Sequence, residues 1–197
     1  MADQLYRIVT NLGYVFLNVG TRGQDPLQDL LVCQKFLEVG WVLQERIIWQ
    51  KATEDGRGHF TPITSGVYLN NMWESIFVLT KDGRRPLDRL AVGVPYTDMS
   101  NTTRWQHGRT QRCRGDVWYI PYETINSRSS SRAGHPATFP RELVERCLRL
   151  VEHGRTGLNV LDPCCGTGTV LDVAAERGHC ATGIDLNPRV LACKSTA

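Results

Sequence analysis

The apolar positions fall into two regular stretches separated by a long one without periodicity. Tyr14-Val15-Phe16-Leu17-Asn18-Val19 is a nearly unbroken apolar run after a turn at Asn11–Leu12–Gly13. Such a run predicts a buried strand, central in a parallel sheet. The residues before it read as the end of a helix. Leu27, Leu30, Leu31 and Leu37 fall near helical spacing, and Gly40 closes that helix. Trp41–Gln50 and Ile76–Thr80 read as two more strands, joined by the polar, glycine-containing stretch Lys51–Asn71.

From Lys81 to Gly134 the periodicity fades, and turn residues, arginines and aromatics interleave. Ser127–Gly134 (SRSSSRAG) reads as a hinge or loop. Regularity returns at Pro140, which suits a first helical turn. Leu143, Val144, Cys147, Leu148 and Val151 form one apolar stripe, and Gly154 ends the helix. Arg141, Glu142, Glu145, Arg146, Arg149 and Glu152 lie off the stripe. A strand at Leu158–Leu161, a glycine loop, a helix at Val170–Arg177, a strand at Cys180–Ile184 and a last helix from Pro188 complete the pattern. No internal repeat is apparent.

With 197 residues the chain has room for one domain, or one domain with a large insertion. The hydrophobic share of 41% and charged share of 22% are those of a soluble globular protein. No apolar run approaches the ~18 residues of a membrane span, and the first residues do not resemble a signal sequence. The seven cysteines are odd in number and include the adjacent Cys164 and Cys165. Neighbouring cysteines rarely suit a structural bridge, so reduced thiols and a cytoplasmic location are expected. Net charge is +3, but its distribution matters more: only four of the 23 basic residues are lysine. Between Asp82 and Gly134, nine arginines face five acids, a local balance of +4. This is either a solvated arginine surface or one that contacts phosphates and base edges.

The chemistry concentrates in Asp162-Pro163-Cys164-Cys165-Gly166-Thr167-Gly168-Thr169, which follows a strand and opens a helix. Its glycines permit a tight turn and a close ligand approach, and a helix N-terminus presents N–H groups to an anion. The loop lacks the third glycine of a dinucleotide fingerprint and the Gly-Lys-Ser/Thr ending of a phosphate loop. Asp185, at the end of the next strand, is placed to accept both ribose hydroxyls of an adenosine. On these features alone, a plain strand-turn-helix with a capping Asp185 stays open.

The segment resembles the cofactor motif of DNA amino-methyltransferases, Asp-Pro-Phe-x-Gly-Ser-Gly-Thr followed by Gly-Ile-Glu/Asp. Cys164 stands where that family often has phenylalanine, and Thr167 replaces serine. His135-Pro-Ala-Thr-Phe-Pro140 resembles the motif that precedes the glycine loop and closes over the methionine end of S-adenosylmethionine. Ile47–Lys51 and Trp73–Lys81 look like the family's paired strands, with Trp73 where histidine is more usual. Gly13–Val19 resembles the strand just after the catalytic motif. The resemblance spans nearly the whole chain. It implies a three-layer Rossmann-like α/β methyltransferase fold in the permuted β order of catalytic half, target recognition and cofactor half. It also implies that His135, Phe139, Pro140, Asp162, Cys164, Gly166, Thr167, Gly168, Thr169 and Asp185 hold S-adenosylmethionine. Residues 1–81 are then the later part of the catalytic half, 82–134 a target-recognition insert and 135–197 the cofactor half. Arg104, Arg109, Arg112 and Arg114 are candidate contacts to double-stranded DNA.

Enzymes of this family carry Asp/Asn/Ser-Pro-Pro-Tyr/Phe/Trp, which holds the target amino group in line with the methyl carbon and stacks on the flipped base. No such motif is present in these residues, so no catalytic residue is assigned. Val94-Pro95-Tyr96 and Ile120-Pro121-Tyr122 put an apolar residue where the acceptor belongs and read better as turns. In the β order the motif precedes the strand at Tyr14. The resemblance therefore implies an incomplete fold, with an empty slot between strands 14–19 and 158–161. The expectation is a split or truncated N4-cytosine or N6-adenine methyltransferase of a restriction-modification system, completed by a second polypeptide carrying the catalytic motif. Two alternatives remain. One is an RNA guanine-N2 methyltransferase, whose cofactor loop is similar but whose catalytic motif lies downstream. The other is a non-catalytic remnant that binds cofactor or DNA.

Overall fold

The computed structural model describes residues 1–53, 66–100, 109–121 and 140–187. They belong to two units, Met1–Pro121 and Tyr122–Ala197, each with its own sheet.

In the first unit, helix α1 (Ala2–Ile8) leads to strand β1 (Val15–Val19), helix α2 (Gln28–Leu37) and strands β2 (Val42–Gln50) and β3 (Trp73–Thr80). Short strands β4 (Val94–Pro95), β5 (Gln111–Arg112) and β6 (Val117–Tyr119) follow. The main sheet has the order β1-β3-β2-β6. Strand β3 is antiparallel to both neighbours, pairing Val15 with Leu79 on one side and Gln50 with Trp73 on the other. Four consecutive residues, Ile76 to Leu79, are at most 1% exposed, so both faces of β3 are covered. The apolar run at Tyr14–Val19 is a different case. Strand β1 is half-buried, antiparallel to β3, and has that one neighbour among the described residues. An apolar run reports side-chain contact on both faces but carries no information on strand direction. The central place in this sheet belongs to β3.

Helix α2 forms where leucine spacing predicts it, yet Leu27, Leu30, Leu31 and Leu37 are all exposed. The buried face is Asp29, Cys33 and Phe36. An ion pair explains the rotation. Asp29 Oδ2 accepts from Arg46 Nη2 at 2.7 Å and from Ser75 Oγ at 2.6 Å, so its carboxylate is satisfied inside the unit. At the other end of the unit, Tyr6 packs edge-on against Trp41 with ring centroids 5.2 Å apart. Lys81 lies over the Tyr6 ring and donates to the Val9 carbonyl at 2.7 Å.

The aperiodic stretch from residue 82 contributes to the main sheet. Strand β6 pairs in parallel with β2, Ile48 opposite Val117 and Gln50 opposite Tyr119. Trp49 and Trp118 are each 1% exposed, and Trp49 Nε1 donates to the Ile120 carbonyl at 2.9 Å. The two Pro-Tyr segments expected as turns thus contribute strand and core residues. Val94–Pro95 is β4, paired with β5, and Ile120 is buried and donates its N–H to the Gln50 carbonyl.

The second unit holds helix α3 (Arg141–Glu152), strand β7 (Asn159–Asp162), helix α4 (Thr169–Glu176) and strand β8 (Cys180–Gly183). Pro140 is the N-cap of α3 rather than part of its first turn. Val144 and Leu148 pack with Val173 and Ala174, against Val160, Val170 and Ala181. Burial pushes the Cys147 thiol up to about 12. The helix ends at His153 and Gly154, both with left-handed backbone. Arg146 and Glu152, expected off the apolar stripe, are buried. Glu152 is held inside by the Arg177 guanidinium, which forks onto both oxygens, and by His179 Nε2 at 2.9 Å. Strand β7 runs parallel to β8 with α4 as the crossover, and the expected last helix from Pro188 lies outside the described residues.

Candidate functional site

The parallel register of the second unit sets Asp162 opposite Gly183. Asp162 ends β7, and Asp185 follows two residues after β8 ends, so both carboxylates sit at the carboxyl edge of adjacent strands. In open α/β sheets ligands bind at that edge. The loop between β7 and α4 is stitched to the chain beyond β8. Ile184 N–H donates to the Asp162 carbonyl, and Cys165 N–H donates to the Ile184 carbonyl, both at 2.9 Å. Side chains complete the frame. Asp162 Oδ1 accepts from Cys164 N–H at 3.0 Å, and Asp185 Oδ2 accepts from Gly166 N–H at 2.9 Å. Asp185 Oδ1 also accepts from Asn187 N–H at 2.7 Å.

Gly166 and Gly168 both take positive φ, 47° and 80°, where a Cβ would be strained. Gly168 is the N-cap of α4, and no side chain caps that helix start. The first N–H groups of a helix have no intrahelical acceptor, so α4 opens on an anion-favouring cluster of donors. Gly183 is needed for a different reason. A Cβ there would lie 2.8 Å from Cys165 Sγ and 2.9 Å from Leu171 Cδ1, so strand, loop and helix meet at that glycine. Motif reading does not single out Gly183; its signal is a glycine inside a strand, a mark of close approach.

Burial lifts the Asp162 carboxyl above the ordinary carboxylate range, against the pull of the Cys164 N–H, and the Asp185 charge adds to the rise. Loss of solvent and the charges of Asp162 and Asp185 push up the Cys164 thiol. This edge therefore offers two acceptor carboxylates beside a donor-rich helix start. It suits a ligand that brings hydroxyls or an ammonium to the first and a carboxylate to the second.

The structure thus gathers Asp162, Cys164, Gly166, Thr167, Gly168, Thr169 and Asp185 into one strand-loop-helix unit, while Pro140 is buried at the start of α3. His135 and Phe139 lie outside the described residues, as does Arg104. Arg109 and Arg112 are exposed in the first unit, Arg112 on β5. Arg114 is half-buried and donates from Nε to the Val92 carbonyl at 3.0 Å, which ties it to the framework.

The N6/N4 methyltransferase family model, described as DNA methylase, matches residues 1–193. The type II methyltransferase M.Cfr9I of Citrobacter freundii is 30% identical over 151 residues, which cover 77% of this chain and 42% of that protein. The PvuII DNA methyltransferase (cytosine-N4-specific) superposes with a TM-score of 0.65 at 16% identity, over 93% of this chain and 63% of that one. The DNA modification methylase TTHA0409 of Thermus thermophilus, solved in complex with S-adenosyl-L-methionine, gives a TM-score of 0.60 at 24% identity. That match covers 97% of this chain and 70% of the other. These likenesses show a shared α/β methyltransferase fold. The chain spans less than two thirds of the curated relatives it matches, 61% in the case of M.MjaI of Methanocaldococcus jannaschii.

Proposed function

The chain belongs to the N6/N4 DNA methylase family, and from that premise we propose that it is the cofactor-binding part of a site-specific DNA amino-methyltransferase. The carrying observation is the carboxyl edge of β7 and β8, where Asp162 and Asp185 flank the uncapped start of α4. This donor and acceptor set fits S-adenosylmethionine, the cofactor with which the fold relative TTHA0409 was solved. When bound, the cofactor supplies an electrophilic methyl group on a sulfonium sulfur.

Asp185 would accept the ribose hydroxyls. An ionised carboxylate has about four acceptor sites, so the Gly166 and Asn187 N–H groups leave capacity for a ligand. The N–H groups at the start of α4, with the Thr167 and Thr169 hydroxyls beside them, would take the methionine carboxylate. Asp162 would accept from the ammonium, which relieves the carboxyl crowding of the ligand-free edge. His135, Phe139 and Pro140 are proposed to close over the methionine end, and Cys164 to line the loop's outer side.

The substrate proposed is double-stranded DNA, methylated on cytosine N4 or adenine N6 as part of a restriction-modification system. Arg104, Arg109 and Arg112 are its proposed contacts, with Arg114 positioning the segment from within. The family match favours DNA over RNA as substrate. The acceptor of the target amino group lies outside these 197 residues, and a second polypeptide with the Asp/Ser-Pro-Pro-Tyr motif is the proposed source. Residues 1–81, 82–134 and 135–197 are proposed as catalytic, recognition and cofactor parts. The described cysteines are free thiols, which favours a cytoplasmic setting. No helix among the described residues is long and apolar enough to cross a membrane.

Calorimetric titration with S-adenosylmethionine, then transfer of a labelled methyl group to DNA with and without a polypeptide bearing the motif, tests this reading. Cofactor binding by the chain and methylation only in the mixture are expected. A chain that binds no cofactor overturns the proposal. Methylation by the chain alone would overturn the second polypeptide.

A further inference from the structure

The first unit contains a cleft of 310 Å³ between the Leu87–Leu90 turn and the β4–β5 hairpin. We infer that this cleft is a seat for a backbone phosphate of the substrate DNA, with Arg89, Arg109 and Arg112 as its cationic wall. The inference rests on the DNA reading above and deepens it by naming the seat and the part of the DNA it takes.

Charge comes first. Three guanidiniums line the cleft against one carboxylate, Asp88, whose Oδ1 already accepts from Ala91 N–H at 3.0 Å to close the turn. Elsewhere in the unit, arginines are matched: Arg85 pairs with Asp82 and Arg46 with Asp29. Among the described residues the Arg89 guanidinium has neither a hydrogen-bond nor an ion-pair partner. Arg112 spends one nitrogen, Nη1, on the Cys113 carbonyl at 3.3 Å. Converging like charges repel unless an anion sits among them.

Geometry comes second. The arginines stand on a backbone held in place rather than on a loose loop. Val94 pairs with Arg112 and Pro95 with Gln111. At the cleft floor, a Cβ on Gly93 would lie 3.0 Å from both the Leu90 and the Arg112 carbonyl oxygens, so turn and hairpin are in close backbone approach there. Guanidinium forks arriving from two sides of an open cleft match an oxyanion that accepts in several directions. Reading a base edge requires instead one fork in the plane of the base.

Fluorescence anisotropy of the whole chain with labelled duplex DNA, over a range of salt, tests the seat. Arg89→Ala and Arg112→Ala, both at exposed positions, are compared with Arg149→Ala on α3. Each cleft variant is expected to weaken binding several-fold, equally for all duplex sequences. Each should also lower the slope of log K against log salt by about 0.9, while Arg149→Ala matches wild type. Cys113 supplies an independent readout, because its exposed thiol lines the cleft. Duplex DNA should slow its alkylation and leave that of Cys180 unchanged. Wild-type affinity and salt slope in both cleft variants, or full Cys113 reactivity under saturating DNA, overturn the seat alone. A change confined to sequence preference overturns phosphate in favour of base reading. A wild-type chain that binds no duplex overturns the DNA reading and the seat with it.

Discussion

Gly166 donates its backbone N–H to Asp185 Oδ2 at 2.9 Å, so the acidic residue after β8 fixes the crest of the glycine loop. The same carboxylate is the proposed ribose acceptor. Loop position and ribose recognition therefore depend on one side chain. Replacing Asp185 with alanine should remove both, and a charged hydrogen bond is worth about 1.5–3 kcal/mol. The expected result is a loss of S-adenosylmethionine affinity of roughly tenfold to a hundredfold. Calorimetry on Asp185→Ala and Asp185→Asn checks this, with the amide retaining part of the loss because its oxygen can still accept from Gly166. Unchanged affinity in both variants would remove Asp185 from the site.

Asp162 is raised by burial and by the neighbouring Asp185, which gives a signed expectation for pH. A carboxyl raised on folding favours the fold while protonated, and that contribution is lost as pH climbs through its folded pKa. Asp162→Asn should therefore stabilise the ligand-free chain at neutral pH. It should also weaken cofactor binding, because the ammonium loses its carboxylate. In the wild type, binding should strengthen as pH rises through the range where Asp162 ionises. Thermal melts and calorimetry between pH 4 and about 7.5 check both halves. A variant less stable than wild type at pH 7 would contradict the assignment.

Gly183 tests whether the three-way contact matters. Alanine there sets a methyl group against Cys165 and Leu171 at under 3 Å, and overpacking of a filled site costs about 1–3 kcal/mol. Because the strain falls where loop and helix meet, Gly183→Ala should lower cofactor affinity as well as melting temperature. Gly154→Ala serves as the comparison. It is also at positive φ, but has open space around it, so it should lower stability and leave affinity alone.

Much of this was readable in the residues, and the misses share a cause. The strand-loop-helix at 159–176 and the paired strands β2 and β3 follow from patterns that are local in sequence: an apolar run, a glycine loop, a stripe. The errors concern partners far away in the chain. The exposed leucines of α2 were misleading because Asp29 meets Arg46 and Ser75, and no spacing within the helix reports that meeting. Strand β6 hid in an aperiodic stretch because three residues suffice once β2 supplies the template. Glu152 and Arg146 looked like the polar face of α3 for the same reason. Of the cofactor residues, those placed by backbone geometry were legible, whereas Gly183 becomes visible only through Cys165.

Glu152 supplies the last expectation, because its burial tends to raise its pKa while Arg177 and His179 more than offset that and hold it below the usual carboxylate range. Leu158 N–H points at His179 Nδ1 at 3.4 Å, which leaves Nε2–H as the donor to Glu152 and ties β7, β8 and the end of α3 together. A carboxyl lowered on folding stabilises fully above its unfolded pKa, about 4.3, and the contribution is lost as pH falls through the folded value. Removing one partner of a buried charged cluster costs about 3 kcal/mol. Glu152→Gln should therefore lower the melting temperature clearly at pH 7. The gap to wild type should narrow as pH falls below about 4. Melting curves of both proteins across that range read the difference directly. A gap of equal size at pH 7 and at pH 3 would mean that the charge of Glu152 is not what holds the cluster.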